Sequence, residues 1–207
     1  MSVTGSWGTQ TYTYDNIYQV TGVDYPAGYT FADKTYNYDP VGNRDSTANG
    51  GTTDYQNNEL NEYTSVGGPP FASDLRGNLT ADGTHVYQYD LENRLTAIDE
   101  DISYIYNPFG LRTGKTVGEA STQYILDDQR EIEEWEGGEL QRKFIYGVGI
   151  DEPICMLHAA GSDLYYYHFD ALGSVHNLTD STGATAATYR YDIYGACPNN
   201  QIMRPKI

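Results

Sequence analysis

Along much of the chain, aromatic or apolar residues alternate with polar ones. Each short run stops at an acidic or amide residue that is soon followed by glycine or asparagine. Tyr36–Arg44, YNYDPVGNR, shows the pattern most clearly. Tyr36 and Tyr38 lie two apart, so on a strand they point to one face. Asp39 takes the first position of a type I turn, where its carboxylate accepts a backbone N–H. Pro40 presets φ at the second position, and Gly42 follows where a positive φ is expected. Asn43 and Arg44 begin the return strand. The unit is strand, Asp-led turn, strand, and no step of it requires a ligand.

The unit recurs in Thr11–Val20 (TYTYDNIYQV), Ser73–Thr80 (SDLRGNLT), Tyr87–Thr96 (YQYDLENRLT) and Tyr104–Arg112 (YIYNPFGLR). It also shapes Tyr166–Gly195, whose two extended runs join at Asp170–Gly173, pass an Asp180–Gly183 break and end at Tyr191–Asp192. Tyr55–Tyr63, YQNNELNEY, reads as a worn copy with Asn57 in the Asp position. Asn93 stands where Gly would sit, a mild change because Asn tolerates the left-handed region. The turn leaders are thus Asp15, Asp39, Asn57, Asp74, Asp90, Asn107, Asp170 and Asp192. From Asn57 to Asn107 their separations are 17, 16 and 17. Such a period means an array of hairpins, each unable to bury its own face alone.

Elsewhere the pattern is looser. Val23–Gly28 and Asp45–Thr53 read as loop or turn, and Gly67–Pro70 as a break. Gln123–Leu126, Glu131–Glu136 and Leu140–Tyr146 read as two more hairpins, with a short helix over Asp128–Glu136 as the alternative. Gly147–Pro153 is a loop, with strands at Ile154–His158 and Leu164–Phe169. Met1–Gln10 is small and polar and is expected to be disordered. Cys197–Ile207 breaks the pattern as a divergent tail. The expected class is all-β: tandem antiparallel β-hairpins forming a curved or spiralling strip.

Composition narrows the core. Tyr outnumbers Phe and Trp, 21 against 5 and 2, and Gly reaches 22. Tyrosine suits half-buried strands, where its ring packs and its hydroxyl stays satisfied. Aliphatic residues are sparse, so a thin layered sheet fits better than one thick core. The net charge of −17, with basic residues scattered, argues against nucleic acid or an anionic membrane surface as partner. No apolar run approaches the ~20 residues of a membrane helix. Met1–Gln10 has neither a basic start nor an apolar core, so no signal peptide is expected in it. Cys155 and Cys197 sit in no Cys-rich motif, and two free thiols are the preferred reading.

YNYDPVGNR, YQYDLENRLT and YIYNPFGLRTGKT resemble the YD repeats of RHS proteins and of the teneurin-like YD shell. YGVGIDEPICM, with YYYHFDALGSVHNLTDSTGATAATYRYDIYG, is similar to the start of the RHS-associated core. The resemblance covers roughly residues 11–196. It divides the chain into a disordered 1–10, YD-repeat hairpins at 11–118, a continuous core start at 119–196, and the tail at 197–207. It implies a strip of hairpins spiralling into a hollow shell. In bacterial members that shell surrounds a toxic C-terminal polypeptide, which it cleaves off itself. The self-cleaving aspartates do not follow Gly195 here, so the resemblance reads as truncated before that end and self-processing is not carried over. It also implies a secreted or cell-surface location.

Candidate chemistry is thin, and no catalytic, cofactor or metal residue is assigned. His168 and His176, near Asp170, suggest a metal or a base, but half-exposed strand histidines beside a capping Asp are the favoured reading, and no spacing matches a zinc motif. Cys155 and His158 are three apart, on opposite faces of a strand. Ser174 lacks a nucleophile elbow. The run Asp127, Asp128, Glu131, Glu133, Glu134, Glu136 reads as a solvated face, with a basic partner as the alternative. No Ca²⁺ loop is present. The pairs Tyr12/Tyr14, Tyr36/Tyr38, Tyr87/Tyr89, Tyr104/Tyr106 and Tyr189/Tyr191 each put two rings on one face. These set strand register by cross-strand packing, or else stack on sugars.

Three functions remain. The first is a non-catalytic piece of a YD-repeat shell that encloses a toxin or is displayed at the cell surface. The second is a carbohydrate- or cell-surface-binding module, and the third a degenerate self-cleaving core. Open sheet edges imply self-association or pairing with a longer YD-repeat homologue, with a toxin polypeptide or a glycan as further partner.

Overall fold

A computed structural model describes residues 1–5 and 8–197. The described residues form 20 strands and no helix. They fall into two compact units: Met1–Val86 with Asp192–Ala196, and a second built on Tyr87–Tyr191.

The first unit holds a seven-stranded sheet in chain order, β1 (Ser2–Gly5), β2 (Gly8–Tyr14), β3 (Val20–Asp24), β4 (Lys34–Tyr38), β5 (Arg44–Ala48), β6 (Thr52–Asn57) and β7 (Tyr63–Val66). A separate hairpin, β8 (Ala72–Ser73) and β9 (Leu79–Ala81), belongs to the same unit. The second unit is one eleven-stranded sheet, again in chain order. It comprises β10 (Tyr87–Tyr89), β11 (Leu95–Ile98), β12 (Ile102–Tyr106), β13 (Arg112–Val117), β14 (Ala120–Asp127), β15 (Arg130–Glu136), β16 (Glu139–Tyr146), β17 (Pro153–His158), β18 (Asp163–Phe169), β19 (Val175–Asp180) and β20 (Thr185–Thr188). Pairing is antiparallel throughout, for example Tyr36↔Thr47 and Ile105↔Gly114.

The Asp-led turn is one module repeated. Asp39 Oδ1 accepts the N–H groups of Val41 (3.0 Å) and Asn43 (2.8 Å), while Gly42 N–H donates to the Asp39 carbonyl at 3.0 Å. Asp74, Asp90, Asn107, Asp170, Asp180 and Asp192 accept the same pair of bonds. The third residue after each leader has positive φ: Gly42 at 93°, Gly110 at 82° and Asn93 at 61°. Asn93 therefore does the work of glycine, because a short amide side chain tolerates that region.

A register shift precedes each such turn that joins two strands. Asn37 pairs with Ser46 but Tyr38 with Arg44, and Ile105 pairs with Gly114 but Tyr106 with Arg112. One extra residue on the return strand makes a β-bulge and raises local twist. It also sets Arg44 and Arg112 on the face of their partner tyrosines.

The structure corrects several expectations. The worn copy turns on Asn58, whose Oδ1 accepts from Leu60 and Glu62 N–H, and not on Asn57, which is still in β6. Asp180 leads a full turn between β19 and β20. Met1–Gln10, expected to be disordered, contributes β1 and the first residues of β2, because Val3 and Thr4 find partners in Gln10 and Thr9. Val23 and Asp24 lie in β3, and Asp45–Thr53 is mostly strand, turning at Asn49–Gly51; its Ser and Thr residues pair across β5 and β6. The acidic segment is β15, so the helical alternative falls. Pairing runs without interruption from β13 to β14, past residue 118. Beyond Cys197 the tail lies outside the described residues.

The core is thin. In the second unit Met156, Tyr165, Leu178 and Ala187 are buried together, with Phe144, Tyr167, Val175 and Tyr189 packed on them. In the first unit Val23, Tyr36 and Thr47 are buried.

Candidate functional site

Arginines that follow the turns lie over tyrosine rings. Of the ten expected tyrosines Tyr36 is buried, Tyr14 is exposed and the others are half-buried. Three strand-end tyrosines use their hydroxyls within the fold. Tyr38 Oη donates to the Val20 carbonyl at 2.8 Å, Tyr106 Oη to that of Leu95 at 2.7 Å, and Tyr146 Oη to that of Glu131 at 2.9 Å. In each case a strand-end tyrosine pins the strand before it. Burial raises the pKa of Tyr36, Tyr38 and Tyr106, consistent with phenols that stay protonated.

Arginine joins one hairpin to the next. The Arg44 guanidinium lies 5.2 Å from the Tyr36 ring centroid and 5.4 Å from that of Tyr55. Arg94 lies 5.2 Å from Tyr106, Arg112 5.3 Å from Tyr124, and Arg130 5.8 Å from Tyr146. Cations over aromatic faces are attracted by the ring quadrupole. These arginines went unread in the sequence. The available signal was a basic residue four or five after a turn leader (Arg44, Arg94, Arg112), with a tyrosine on the following strand.

Arg44 sits in a closed cradle within the first unit. Tyr194 packs edge-on against Tyr36 at 5.3 Å, and the Arg44 guanidinium lies 4.3 Å from the Tyr194 centroid. The Tyr38 and Tyr194 hydroxyls share a hydrogen bond of 2.9 Å, and Ile193 N–H donates to Tyr25 Oη at 3.2 Å. Burial pushes Tyr25 up to about 12. Tyr36 Oη and Arg44 Nε are buried in this cradle without a hydrogen-bond partner.

The acidic run is not a uniformly solvated face. Leu126 pairs with Glu131, Ile125 with Glu133 and Tyr124 with Glu134. The extra residue, Ile132, shifts the alternation, so Glu131 and Glu134 share the face of Leu126 and Tyr124 while Glu133 points the other way. Glu134 pairs with Arg142. Glu133 accepts from Lys143 Nζ and from Trp135 Nε1, each at 3.0 Å. Burial, then the Glu134 charge and a hydrogen bond to it, push Glu131 up to about 7, against the pull of Arg112 and Arg142. Glu131 also lines an open cleft of about 360 Å³ with Tyr106, Arg112, Leu126 and Gln129.

The remaining candidates are dispersed. His168 lies opposite Asn177 and its Nε2 contacts Thr179 Oγ1 at 2.9 Å. His176 gives its carbonyl to Tyr189 N–H. His158 is buried in β17 between Arg142 and Asp163. Asp170 caps its turn, and Ser174 N–H donates to it. Cys155 is buried, Cys197 is exposed, and both are free. Among the described residues no group of three or more His, Cys, Asp or Glu side chains is placed to hold a metal ion.

Residues 1–201 match the family described as Teneurin YD-shell. The chain is 33% identical over 174 residues to the tRNA3(Ser)-specific nuclease WapA of Bacillus spizizenii and, equally, to the tRNA nuclease WapA of Bacillus subtilis strain 168. Each match covers 77% of this chain and 7% of the relative. Among solved structures the fold is similar to the crystal structure of TcdB2-TccC3 without its hypervariable C-terminal region. The TM-score is 0.66 at 17% identity, covering 92% of this chain and 12% of that one. TcdB2-TccC3 itself gives 0.64 at 16% identity, with the same coverage. The chain thus spans a small fraction of the proteins it matches.

Proposed function

The chain belongs to the teneurin YD-shell family, and from that membership we propose that it is a non-catalytic wall segment of a YD-repeat shell. Its work is to enclose a toxin polypeptide or to be displayed at a cell surface, so its place is outside the cell or on its surface. One observation carries this reading: the tyrosines are committed to holding strands together. Their rings are half-buried, and Tyr38, Tyr106 and Tyr146 donate their hydroxyls to neighbouring strands. A sugar-stacking strip needs exposed rings, and of the paired tyrosines Tyr14 alone is exposed. The acidic balance of −17 also suits a wall better than a tRNA-binding surface. Open edges at β1, β10 and β20 suit pairing with a longer YD-repeat homologue or a second copy.

Incubation of the chain with tRNA and divalent metal tests the non-catalytic reading. The expected result is no cleavage above a buffer control. Cleavage abolished by chelation would overturn it and give this segment a share of the nuclease activity named for its relatives.

A further inference from the structure

Because each sheet is a meander, successive turns alternate between its two rims. Except for the Asp180-led turn of the second sheet, which falls on the other rim, the turns led by Asp or Asn within each sheet fall on one rim. In the first sheet that rim carries Ile17, Val41 and Leu60 at its turn tips; in the second it carries Phe109, Val148 and Leu172. All six are at least 71% exposed. Neighbouring turns on one rim are roughly 10 Å apart, two strand spacings, and in the second sheet the Asp128–Gln129 turn between Phe109 and Val148 bears no apolar tip. The opposite rim of the eleven-stranded sheet is built from Gly118–Glu119, Gly137–Gly138, Ala159–Ser162 and Ser181–Ala184, and among the described residues none of its turns holds an exposed large apolar side chain. Exposed apolar side chains along one rim point to something that covers them.

One tip shows what the cover is. Asp192–Gly195 is the same turn module, with Gly195 at φ 82°, and Tyr194 holds the position of Val41 and Phe109. Tyr194 is not free like the others: it is seated among Tyr36, Tyr38 and Arg44, which belong to both strands of another YD unit. No strand pairing contributes, since Asp192–Ala196 lies outside any strand. The seat is made of side chains the repeat supplies again and again, a Tyr-x-Tyr pair and an arginine after the turn.

We propose that the apolar-tipped rim is a docking surface whose partner is another YD-repeat face, each tip entering a tyrosine–arginine cradle as Tyr194 does. This rests on reading the chain as shell wall, and it assigns lateral contacts to turn tips instead of strand edges. A second copy of this chain is the probe. Sedimentation equilibrium of the full chain should show reversible self-association in the micromolar range. Phe109→Ser with Leu172→Ser should weaken it about tenfold or more while leaving the circular dichroism and Tm unchanged, because both side chains face solvent. Arg112→Ala, on the cradle side, should weaken it as well. A wild-type chain that stays monomeric at ~100 μM would overturn the proposal. So would self-association that the tip variants leave intact, which would assign it to the strand edges. Neither outcome bears on tRNA cleavage, so failure here is separable from failure of the wall reading.

Discussion

The hydroxyls of Tyr38 and Tyr194 meet at 2.9 Å although 156 residues separate them in the chain. Tyr38 also donates to the Val20 carbonyl, so one phenol ties β4 both to the strand before it and to a turn far downstream. Each of these bonds is ordinary. Their combination seats a late turn on the first sheet without strand pairing.

Tyr194→Ala should lower stability by about 1–2 kcal/mol, since a half-exposed ring and its stack are lost, and Tyr194→Phe by about 0.5–1. Chemical denaturation measures both. Hydrogen exchange should show lost protection confined to residues 192–196 and the facing end of β4. Equal stability of Tyr194→Ala and wild type would mean that the seat contributes nothing.

The turn module predicts a contrast at its third position after the leader. Gly110 has φ 82° and no atom within 4 Å of an added Cβ, so Gly110→Ala isolates the backbone cost. It should destabilise by about 1 kcal/mol, and Gly110→Asn by less, as Asn93 already fills that position. Asp39→Ala should destabilise as well, by removing the acceptor of the Val41 and Asn43 N–H groups. Thermal melts rank the three variants.

Stability should fall on both sides of a mildly acidic optimum. Glu131 has a raised pKa in the folded chain, so its contribution is fully present below its ordinary 4.5 and gone once pH has risen past about 7. The turn carboxylates work the other way. Hydrogen bonds to Asn43 and to backbone N–H groups depress Asp39, and Asp74, Asp90 and Asp180 are depressed likewise. Their contribution is present above their ordinary 3.8 and is lost as pH drops below it. Urea denaturation at pH 5 and 8 should show wild type weaker at pH 8, and Glu131→Gln should remove most of that difference. An unchanged difference in the variant would show that Glu131 is not its source.

The arginines should couple neighbouring hairpins. A double-mutant cycle on Arg112→Ala and Tyr124→Ala should return about 0.5–1 kcal/mol of interaction energy. A coupling of zero would reduce Arg112 to a solvated side chain.

Tyr36–Arg44 was legible residue by residue because everything in it is local. A two-residue alternation sets the face, an aspartate closes on N–H groups two and four residues ahead, and glycine or asparagine takes the positive φ. Asn58 was misplaced by one residue because two adjacent asparagines are equally able to cap, and strand pairing chose between them. The acidic run was misread because a strict alternation puts Glu131 beside Glu133, whereas the bulge at Ile132 puts it beside Glu134 and Arg142. Met1–Gln10 looked featureless because small polar residues order only when a partner strand is supplied.

From its sequence alone the chain was determined to be a succession of tyrosine-bearing hairpins, because the hydrogen bonds that define each turn span at most four residues. The tertiary structure alone decided which hairpin an arginine stacks on, where a bulge reverses a face, and that Tyr194 seats on Tyr38. Those choices depend on register and on contacts between residues distant in the chain, and local preference carries no information about either.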